Sequence, residues 1–343
     1  MRKIVSSLLI IFISLHAFAW NSPVTIPDVG NARIRIVGQN AENYLTNFDA
    51  SNSSCANQNE FNTKTNKMAN AFIALQADIV AICEVERNDD ILSYICDAMN
   101  SIYGANVYTY ITDGLYAYAS AGNYQSLKAG YIYNKEKVTP YGSSSSPYYS
   151  GEYNARMRIQ AFKENATNEM FVLSMNHFKA KSSSDDGEST RLQNVSNLLS
   201  ALNSISADPD ILIMGDLNAY TEETPIQNLI NAGYAEQLVR FDASAYTYIY
   251  KGVKGILDHA MANSTMAGQI TGARAYHINT AGGYNYKYSD HDAVLVGLRL
   301  GEESHDGCET IEVSVPARKI LRDGQLFIEL DGQLFTITGT RVQ

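Results

Sequence analysis

The segment Ile79-Val80-Ala81-Ile82-Cys83-Glu84 is a short apolar run that ends on a carboxylate. A continuous run of this kind predicts a strand that is buried on both faces, as in the layered sheets of α/β proteins. Ligand sites in such folds form at strand ends and in the loops just beyond them. The end of this strand is therefore a candidate position for a functional side chain.

Other parts of the chain repeat this arrangement. Apolar runs or short motifs lead to side chains that bind metals or phosphates, namely Asn40, Asn176 with His177, Asp216 with Asn218, Asp258, and Asp290 with His291. A single aspartate after a strand is usually a turn residue or a helix cap. Because the pattern recurs at six strand endings, it predicts instead that these side chains meet in one site.

Amphipathic segments alternate with the predicted strands. Two of them carry an apolar stripe at helical spacing, formed by Met68, Phe72 and Leu75 in the first and by Leu192, Val195, Leu199 and Leu202 in the second. A third predicted helix has Thr224 as its cap, Pro225 in its first position and Gly233 beyond its end. Strands that alternate with helices predict an α/β protein whose sheets are covered by helices.

Length, charge and the first residues limit the class of protein. A chain of 343 residues with 45% apolar and 18% charged residues can bury one large core or two modest ones. Met1-Arg2-Lys3, an apolar run and Ala17-Phe18-Ala19 predict a signal peptide over residues 1–19, and thus a secreted protein. The run is shorter than the roughly 20 residues that a membrane span needs. A net charge of −10 argues against nonspecific adhesion to nucleic acid, but it allows a metal-neutralised carboxylate site.

The roles of the cysteines and of the tyrosine-rich stretch can each be interpreted in two ways. The four cysteines, Cys55, Cys83, Cys96 and Cys308, allow three full disulfide pairings and lack the spacing of zinc ligands. Cys83 ends a buried strand, where a small core residue is the alternative to a disulfide. The tyrosine-rich stretch from Tyr103 to Tyr153 suits half-buried strands, with aromatic contacts to sugars or bases as the other interpretation.

The end of the chain differs in character from the rest. Residues 301–316 are acidic without clear periodicity and are interpreted as a linker. Beyond them, Asp323-Gly324-Gln325-Leu326-Phe327 is repeated as Asp331-Gly332-Gln333-Leu334-Phe335. Asp-Gly turns between alternating apolar residues predict a β-hairpin or small meander in residues 317–343. A sorting tail is the alternative for this segment.

The collected side chains suit phosphodiester hydrolysis, which needs a cation, a base for the attacking water and stabilisation of the leaving oxygen. Asn40, Glu84 and Asp290 form an oxygen-rich set that is predicted to bind Mg²⁺. Arg156, Asn176 and Lys179 are predicted to contact the phosphates of the substrate.

The remaining side chains are assigned to catalysis. Asp216 is predicted to orient the water and Asn218 to donate to a phosphate oxygen, because residues two apart in an extended segment share one side. His291 is the predicted general base, with Asp258 on its second ring nitrogen. His177 is predicted to donate to the phosphate or to protonate the leaving group.

In its order of motifs the chain resembles the endonuclease/exonuclease/phosphatase superfamily. The matching segments are Asn40, Gln76 to Glu84, Asn176-His177-Phe178-Lys179-Ala180-Lys181, Gly215-Asp216-Leu217-Asn218-Ala219-Tyr220, Gly255 to His259 and Ser289-Asp290-His291-Asp292. The segments Asn176 to Lys181 and Gly215 to Tyr220 are most similar to the bacterial extracellular nuclease branch. Tyr248 to Asp258 and His277-Ile278-Asn279 are similar to that branch as well. The strand Gly130 to Asn134 departs from the family pattern because it offers no acidic partner for His177.

The resemblance implies a deoxyribonuclease I-like α/β fold, a four-layer sandwich of two packed β-sheets flanked by helices, in residues 20–300. It also implies Mg²⁺, with Mn²⁺ or Ca²⁺ in addition or instead, and cleavage that leaves a 5′-phosphate. The leading hypothesis is a secreted nuclease that acts on extracellular DNA or RNA, without membrane insertion or an obligate protein partner. One alternative is a sphingomyelinase-like enzyme for lipid or small phosphoesters, which needs an exposed apolar hairpin. Another is a binding module without catalysis, which the complete set of site residues disfavours.

Overall fold

A computed structural model describes residues 22–114, 127–147, 155–182, 186–205 and 207–301. It also describes the backbone of residues 318–322, 325–330 and 333–336. Two compact units are present, Met1–Glu303 and Ser304–Gln343. The predicted signal peptide lies outside the described residues, as does the predicted linker apart from Gly301. In the described part of the chain, no helix combines the length and the apolar character that a membrane span requires.

The strands are given in chain order. They are β1 Ile34–Tyr44, β2 Ile79–Glu86, β3 Tyr108–Tyr110, β4 Leu127–Asn134, β5 Val138–Ser145, β6 Met157–Glu164, β7 Met170–His177, β8 Ile211–Asp216, β9 Ala235–Glu236, β10 Tyr248–Tyr250, β11 Val253–Gly255, β12 Asp258–Ala262, β13 Ile270–Tyr276, β14 Ala293–Leu298, β15 Arg318–Arg322, β16 Gln325–Leu330 and β17 Gln333–Thr336. The helices are α1 Gln58–Ala74, α2 Ile91–Tyr103, α3 Glu188–Asn203, α4 Thr224–Asn231, α5 Gln237–Phe241, α6 Ser264–Ala267 and α7 Ile278–Ala281.

Two six-stranded mixed sheets form the frame of the larger unit. Their strand orders are β13-β14-β1-β2-β4-β3 and β5-β6-β7-β8-β12-β9. Each sheet has one parallel pair at its centre, β1 with β2 and β7 with β8, and its other neighbours are antiparallel. The parallel pairs place the carboxyl ends of four central strands at edges where a site can form.

The two sheets pack face to face and helices cover their outer faces. The core between the sheets contains Ile36, Cys83, Leu173, Met214 and Val296, among other buried residues. The outer face of the first sheet packs on α1 and α2, and that of the second on α3 and α4. The predicted deoxyribonuclease I-like sandwich of four layers is therefore confirmed.

The predicted helices form at the expected positions, but the buried face of α3 differs from the predicted one. In α1 the predicted stripe is buried, with Met68 and Phe72 fully enclosed. In α3 the buried face instead runs through Arg191, Asn194, Val195, Leu198 and Leu202, a rotation of about one residue from the predicted stripe. The rotation accommodates Arg191, whose guanidinium donates to Asp186 and to the carbonyl of Lys179.

Helix α4 begins one residue earlier than its predicted cap implies. Thr224 is its first helical residue, and Glu223 occupies the cap position. The Glu223 side chain does not cap the helix, because its Oε2 accepts from the backbone N–H of Tyr220 at 3.0 Å. Pro225 is the second helical residue, one position later than predicted.

Cys83 is fully buried between the two sheets, so its interpretation as a small core residue is confirmed. Cys55 and Cys96 are buried free thiols, and Cys308 lies outside the described residues. Within the tyrosine-rich stretch, Tyr108 and Tyr131 are buried in strands, as the structural interpretation requires. The tyrosines at positions 116, 118, 124, 148, 149 and 153 lie outside the described residues.

The smaller unit is a three-stranded antiparallel sheet in the order β15-β16-β17. Ile320 pairs with Phe327, and Ile328 with Phe335, so the backbone follows a meander. The two Asp-Gly pairs occupy the connections between these strands, at residues outside the described part of the chain. A sorting role for this unit stays a prediction.

Candidate active site

The strand endings noted in the sequence meet at one end of the two packed sheets. Four of the side chains stand at or near the carboxyl ends of the parallel pairs, Asn40 on β1, Glu84 on β2, His177 on β7 and Asp216 on β8. Asp258 begins β12, which runs antiparallel to β8 and pairs Asp258 with Asp216. Asp290 and His291 precede β14, which runs antiparallel to β1. Because each of these two strands starts where its antiparallel neighbour ends, its first residues lie at the same edge of the sheet as the last residues of that neighbour.

Two carboxylates and an imidazole form the centre of the site. One ligand atom each from Glu84, His177 and Asp216 lies within 4.8 Å of the others, an arrangement that could hold a metal ion. The Nε2 atom of His177 is 3.2 Å from Glu84 Oε1 and 3.9 Å from Asp216 Oδ2. The sequence predicts separate roles for these three residues.

Asn40 occupies the centre differently from the predicted metal ligand. Its Nδ2 donates to Glu84 Oε1 at 3.1 Å and to Asp216 Oδ2 at 3.0 Å. Its Oδ1 accepts from the backbone N–H of Glu42 at 2.8 Å, and this N–H fixes which end of the amide is oxygen. Asn40 thus presents nitrogen to the carboxylates and holds them together, which is a positioning role.

The backbone around Glu84 is irregular in a way that aims its side chain. The pairing of β1 with β2 shifts between Asn40 and Tyr44, and Glu84 itself has a φ of 56°. Glu42 and Asn43 also have positive φ, and the Asn43 N–H donates to Glu84 Oε2 at 2.9 Å. Left-handed backbone at residues other than glycine is unfavourable and concentrates at functional sites.

Asp216 is held on several sides. Asn218, with a φ of 49°, donates its backbone N–H to Asp216 Oδ1 at 2.9 Å and its Nδ2 to Asp216 Oδ2 at 3.2 Å. The same Nδ2 lies 3.2 Å from the carbonyl of Phe178. Asn218 therefore orients Asp216, and the predicted contact of its amide with a phosphate would replace one of these bonds.

Gly215 makes the approach of β8 to β7 possible. Its φ is 125°, and a Cβ there would lie 2.0 Å from the carbonyl oxygen of Asn176. We expect Gly215→Ala to lower the free energy of unfolding by roughly 3 kcal/mol or more and to displace Asp216 with loss of activity. Gly268→Ala is the matched control, because Gly268 has a φ of −64° and its nearest contact is 3.6 Å away.

Denaturant unfolding and hydrolysis rates measured for both variants check this expectation. Equal stability of the two alanine variants would show that β7 and β8 can separate at Gly215 without penalty.

The charges at the centre fit a cation. Burial raises the pKa of Asp216 to about 7, and the carboxylates of Asp258 and Glu84 add to the rise while His291 opposes it. Burial also raises the pKa of Glu84. Two buried carboxylates that resist ionisation beside each other are stabilised by a bound divalent cation.

His177 is a neutral imidazole. Burial lowers its pKa well below the usual value, and the charge of Arg156 adds to the effect. Its Nδ1 atom is buried and has no hydrogen-bond partner among the described residues. The missing acidic partner noted in the sequence is therefore also missing from this part of the structure.

His291 and Asp258 form a close pair beside the centre. Nδ1 of His291 lies 2.7 Å from Asp258 Oδ2, and its Nε2 lies 3.8 Å from Asp216 Oδ2. Burial opposes protonation of His291, but Asp258 and Asp216 outweigh it and hold the pKa well above its usual value. The pair has the geometry of a histidine that is oriented by a carboxylate on its second nitrogen.

We expect Asp258→Asn to lower turnover by at least about tenfold, because the amide removes the charge that stabilises and orients the imidazole. The control is Asp208→Asn, a carboxylate that hydrogen-bonds within its own loop. Hydrolysis rates at saturating substrate, with circular dichroism to verify folding, test this expectation. Unchanged turnover in Asp258→Asn would remove Asp258 from the mechanism.

Residues that the sequence analysis missed hold the His291 segment in place. The Ser289 hydroxyl donates to the carbonyl of Asn40 at 2.7 Å, and Asn279 Nδ2 donates to the carbonyl of His291 at 2.7 Å. The ring of Tyr248 stacks on His291 with centroids 4.6 Å apart. Ser289, Asn279 and Tyr248 all belong to sequence motifs described above, and these motifs could have identified them as residues of the site.

The remaining predicted residues lie at different distances from the centre. Asp290 is at the rim, with its side chain 41% exposed and Oδ1 4.0 Å from His291 Nε2. Arg156 is buried, and its carbonyl accepts from the backbone N–H of His177. Lys179 follows β7, where its carbonyl accepts from Arg191.

Asn176 does not reach the site as predicted. Its Nδ2 donates to the carbonyls of Ser174 and Met214, and its Oδ1 accepts from the Ser174 hydroxyl. It alternates with His177 along β7, so the two side chains point to opposite faces. Asn176 supports the strand rather than the substrate.

The fold and site together define a class of hydrolase in which carboxylates and a histidine–aspartate pair act at one end of two packed sheets. The chain belongs to the Endonuclease/Exonuclease/phosphatase family, whose family model matches residues 52–291. That match contains each of the predicted site residues except Asn40. No curated protein sequence matches the chain.

Several solved structures share the fold at low sequence identity. A Bacteroides thetaiotaomicron mannosyl-6-phosphatase is 13% identical, with a TM-score of 0.58 over 78% of this chain and 99% of that chain. The human Nocturnin catalytic domain with bound sulfate is 15% identical, with a TM-score of 0.55 over 78% and 94%. D. rerio TDP2 complexed with single strand DNA product is 13% identical, with a TM-score of 0.52 over 78% and 98%. At these identities the likeness supports the fold and leaves the substrate open.

Proposed function

We propose that the protein is a secreted, divalent-metal-dependent nuclease that hydrolyses phosphodiester bonds of extracellular DNA or RNA and leaves a 5′-phosphate. The observation that carries the proposal is the meeting of Glu84 and Asp216 with the His291–Asp258 pair at one end of the sandwich. A cation site next to an oriented histidine is the combination that activation of water at a phosphate requires.

Glu84 and Asp216 would hold the cation, with Asp290 at the rim. Mg²⁺ and Mn²⁺ both suit such carboxylate ligands. When bound, the cation supplies charge neutralisation and polarisation of the phosphoryl group.

The residues of the chain account for the remaining steps. The pKa of His291 is high because Asp258 and Asp216 face it, and neutralisation of Asp216 in the loaded site would lower it. In its neutral form His291 donates Nδ1–H to Asp258, which leaves the Nε2 lone pair to take a proton from the attacking water. Asp258, 2.7 Å from Nδ1, stabilises the imidazolium that forms. The water oxygen bonds to phosphorus as the bond to the 3′ oxygen breaks, and the proton held by His291 returns through solvent to the departing 3′ oxygen, which leaves as a hydroxyl. His177 is neutral and faces the same centre, where it donates to a phosphate oxygen.

Secretion is part of the proposal and is supported by the predicted signal peptide alone. Cleavage after Ala19 would give a mature chain that begins at Trp20. Mass spectrometry of the protein recovered from the culture medium of an expressing bacterium tests this. Recovery of the uncleaved chain from the cells alone would contradict it.

A panel of substrates tests the proposed activity. Purified protein is incubated with supercoiled plasmid, linear DNA, RNA, p-nitrophenyl phosphate and sphingomyelin liposomes, with EDTA or with Mg²⁺, Mn²⁺ or Ca²⁺. We expect cation-dependent nicking of plasmid and release of 5′-phosphate ends. Release of choline phosphate without nicking would support the lipid alternative, and hydrolysis of the monoester alone would support a phosphatase.

A further inference from the structure

The hairpin of β10 and β11 stands beside the candidate site and carries tyrosine rings that the proposed reaction does not use. Lys251 and Gly252 have φ values of 48° and 83° and form its tight turn, as in the type I′ turns that suit the twist of hairpins. Tyr248 and Tyr250 are two residues apart on β10, so they share one face. Because Tyr248 stacks on His291, this face begins at the site and leads away from it.

A third ring lies next to this face. Gly255 pairs with Tyr248, and a Cβ on Gly255 would lie 2.4 Å from Cε1 of Tyr220. The lack of a side chain at Gly255 therefore makes room for the Tyr220 ring. Tyr220, Tyr248 and Tyr250 form what we call the tyrosine platform, of which Tyr250 is 54% exposed and the other two are half-buried.

Two lysines lie over rings of the platform, although the chain carries a net charge of −10. The Nζ atoms of Lys251 and Lys181 lie 5.2 Å and 4.9 Å from the ring centroids of Tyr250 and Tyr220. Lys181 is paired with Glu223, whereas Lys251 forms no ion pair within the described residues. Lys254 pairs with Ile249 and lies on the opposite face of the hairpin, over the ring of Tyr246. Positive charge is thus available on the hairpin next to exposed aromatic surface.

We propose that the tyrosine platform binds the unpaired bases of a single-stranded nucleic acid whose scissile phosphate lies at the candidate site. This rests on the proposed function and specifies its substrate. Aromatic rings stack on single-stranded bases without sequence preference, and lysines attract the backbone. In a duplex the faces of the bases already stack on one another and are not accessible.

The spacing of the rings supports a single strand. Side chains two residues apart on a strand are about 6.7 Å apart, roughly twice the 3.4 Å separation of stacked bases in a duplex. Tyr248 and Tyr250 therefore suit bases that have been pulled apart along an extended strand.

A lipid surface fits the hairpin less well. Membrane-binding hairpins insert apolar side chains at their tip. Here the tip is Lys251-Gly252, and Val253, 69% exposed, is the aliphatic residue beside it. One exposed valine offers little apolar area for insertion.

The test compares Tyr250→Ala and Tyr250→Phe with the control Tyr141→Ala. Tyr141 is 56% exposed, nearly the same as Tyr250, but it lies on the edge strand β5. Each change is placed in a Glu84→Gln background to prevent cleavage. Fluorescence anisotropy then measures binding of an oligothymidylate of about 12 nucleotides, a length within the range of single-strand sites. A DNA hairpin duplex and sphingomyelin–phosphatidylcholine vesicles serve as competing ligands.

We expect Tyr250→Ala to weaken oligothymidylate binding at least about fivefold, with Tyr250→Phe and Tyr141→Ala within about twofold of their parent. Any of three results would overturn the inference. Tyr250→Ala could bind oligothymidylate as well as its parent does, it could lose affinity for the duplex to the same extent, or it could lose affinity for the vesicles alone. Platform-dependent binding without cleavage of any nucleic acid would overturn the proposed function alone.

Discussion

His291→Ala is expected to lower plasmid nicking by about 10²- to 10⁴-fold, the contribution that a positioned general base makes to hydrolysis. The expectation follows from the position of His291, whose Nδ1 contacts Asp258 while its Nε2 faces the carboxylate centre. The loss should appear in turnover rather than in substrate affinity, because the residue acts on the attacking water. Initial nicking rates over a range of plasmid concentrations separate the two.

His277→Ala is the matched control for this change. His277 forms the same kind of pair with a carboxylate, its Nδ1 lying 2.8 Å from Asp292 Oδ2, and it stacks on Tyr246. The described contacts do not connect its ring to Glu84 or Asp216. We expect the His277→Ala variant to keep most of the plasmid-nicking activity. Nicking by His291→Ala at the rate of the native protein would exclude the proposed mechanism.

Removal of divalent cations with EDTA is expected to abolish hydrolysis, and added cation should restore it and raise the midpoint of thermal unfolding. At a free cation concentration of about 100 times Kd, binding stabilises the folded state by about 2.7 kcal/mol. The gain should be larger near pH 8 than near pH 5.5, because burial raises the pKa of Asp216 to about 7 in the cation-free protein. Protons therefore compete with the cation at the lower pH.

Thermal unfolding with and without Mg²⁺ or Mn²⁺ at the two pH values provides the measurement. Glu84→Ala should remove both the cation-induced shift and plasmid nicking. Glu136→Gln, an exposed carboxylate on the turn between β4 and β5, should retain both. A cation-induced shift of the same size in Glu84→Ala would show that the cation binds elsewhere.

The fold can be predicted from the sequence because the motifs follow one another along the chain in a recognisable order. Runs such as Ile79 to Cys83 are apolar on both faces, so they form central strands wherever they occur in a layered protein. The polar residue at each strand end was identified for the same reason. The buried side of α3 depends on Arg191, which a hydrophobic pattern cannot predict.

The roles of individual side chains were harder to predict than their positions. Asn40 is predicted as a metal ligand and Asn176 as a phosphate contact, whereas in the structure the Asn40 amide nitrogen faces two carboxylates and the Asn176 amide donates to strand carbonyls. An amide presents either oxygen or nitrogen according to its neighbours, and those neighbours come from distant parts of the chain. Tyr248 was noted only as part of a motif, although its ring stacks on His291.

By itself the sequence determined the α/β class, the strand endings and the chemical types available for catalysis, because these depend on local patterns of apolar and polar residues. Only the tertiary structure decided which atoms face one another. The 3.2 Å approach of His177 to Glu84, the 2.7 Å contact of His291 with Asp258 and the raised pKa of Asp216 all arise from packing two sheets together. Such distances and burial depend on residues far apart in the chain, and no local pattern encodes them.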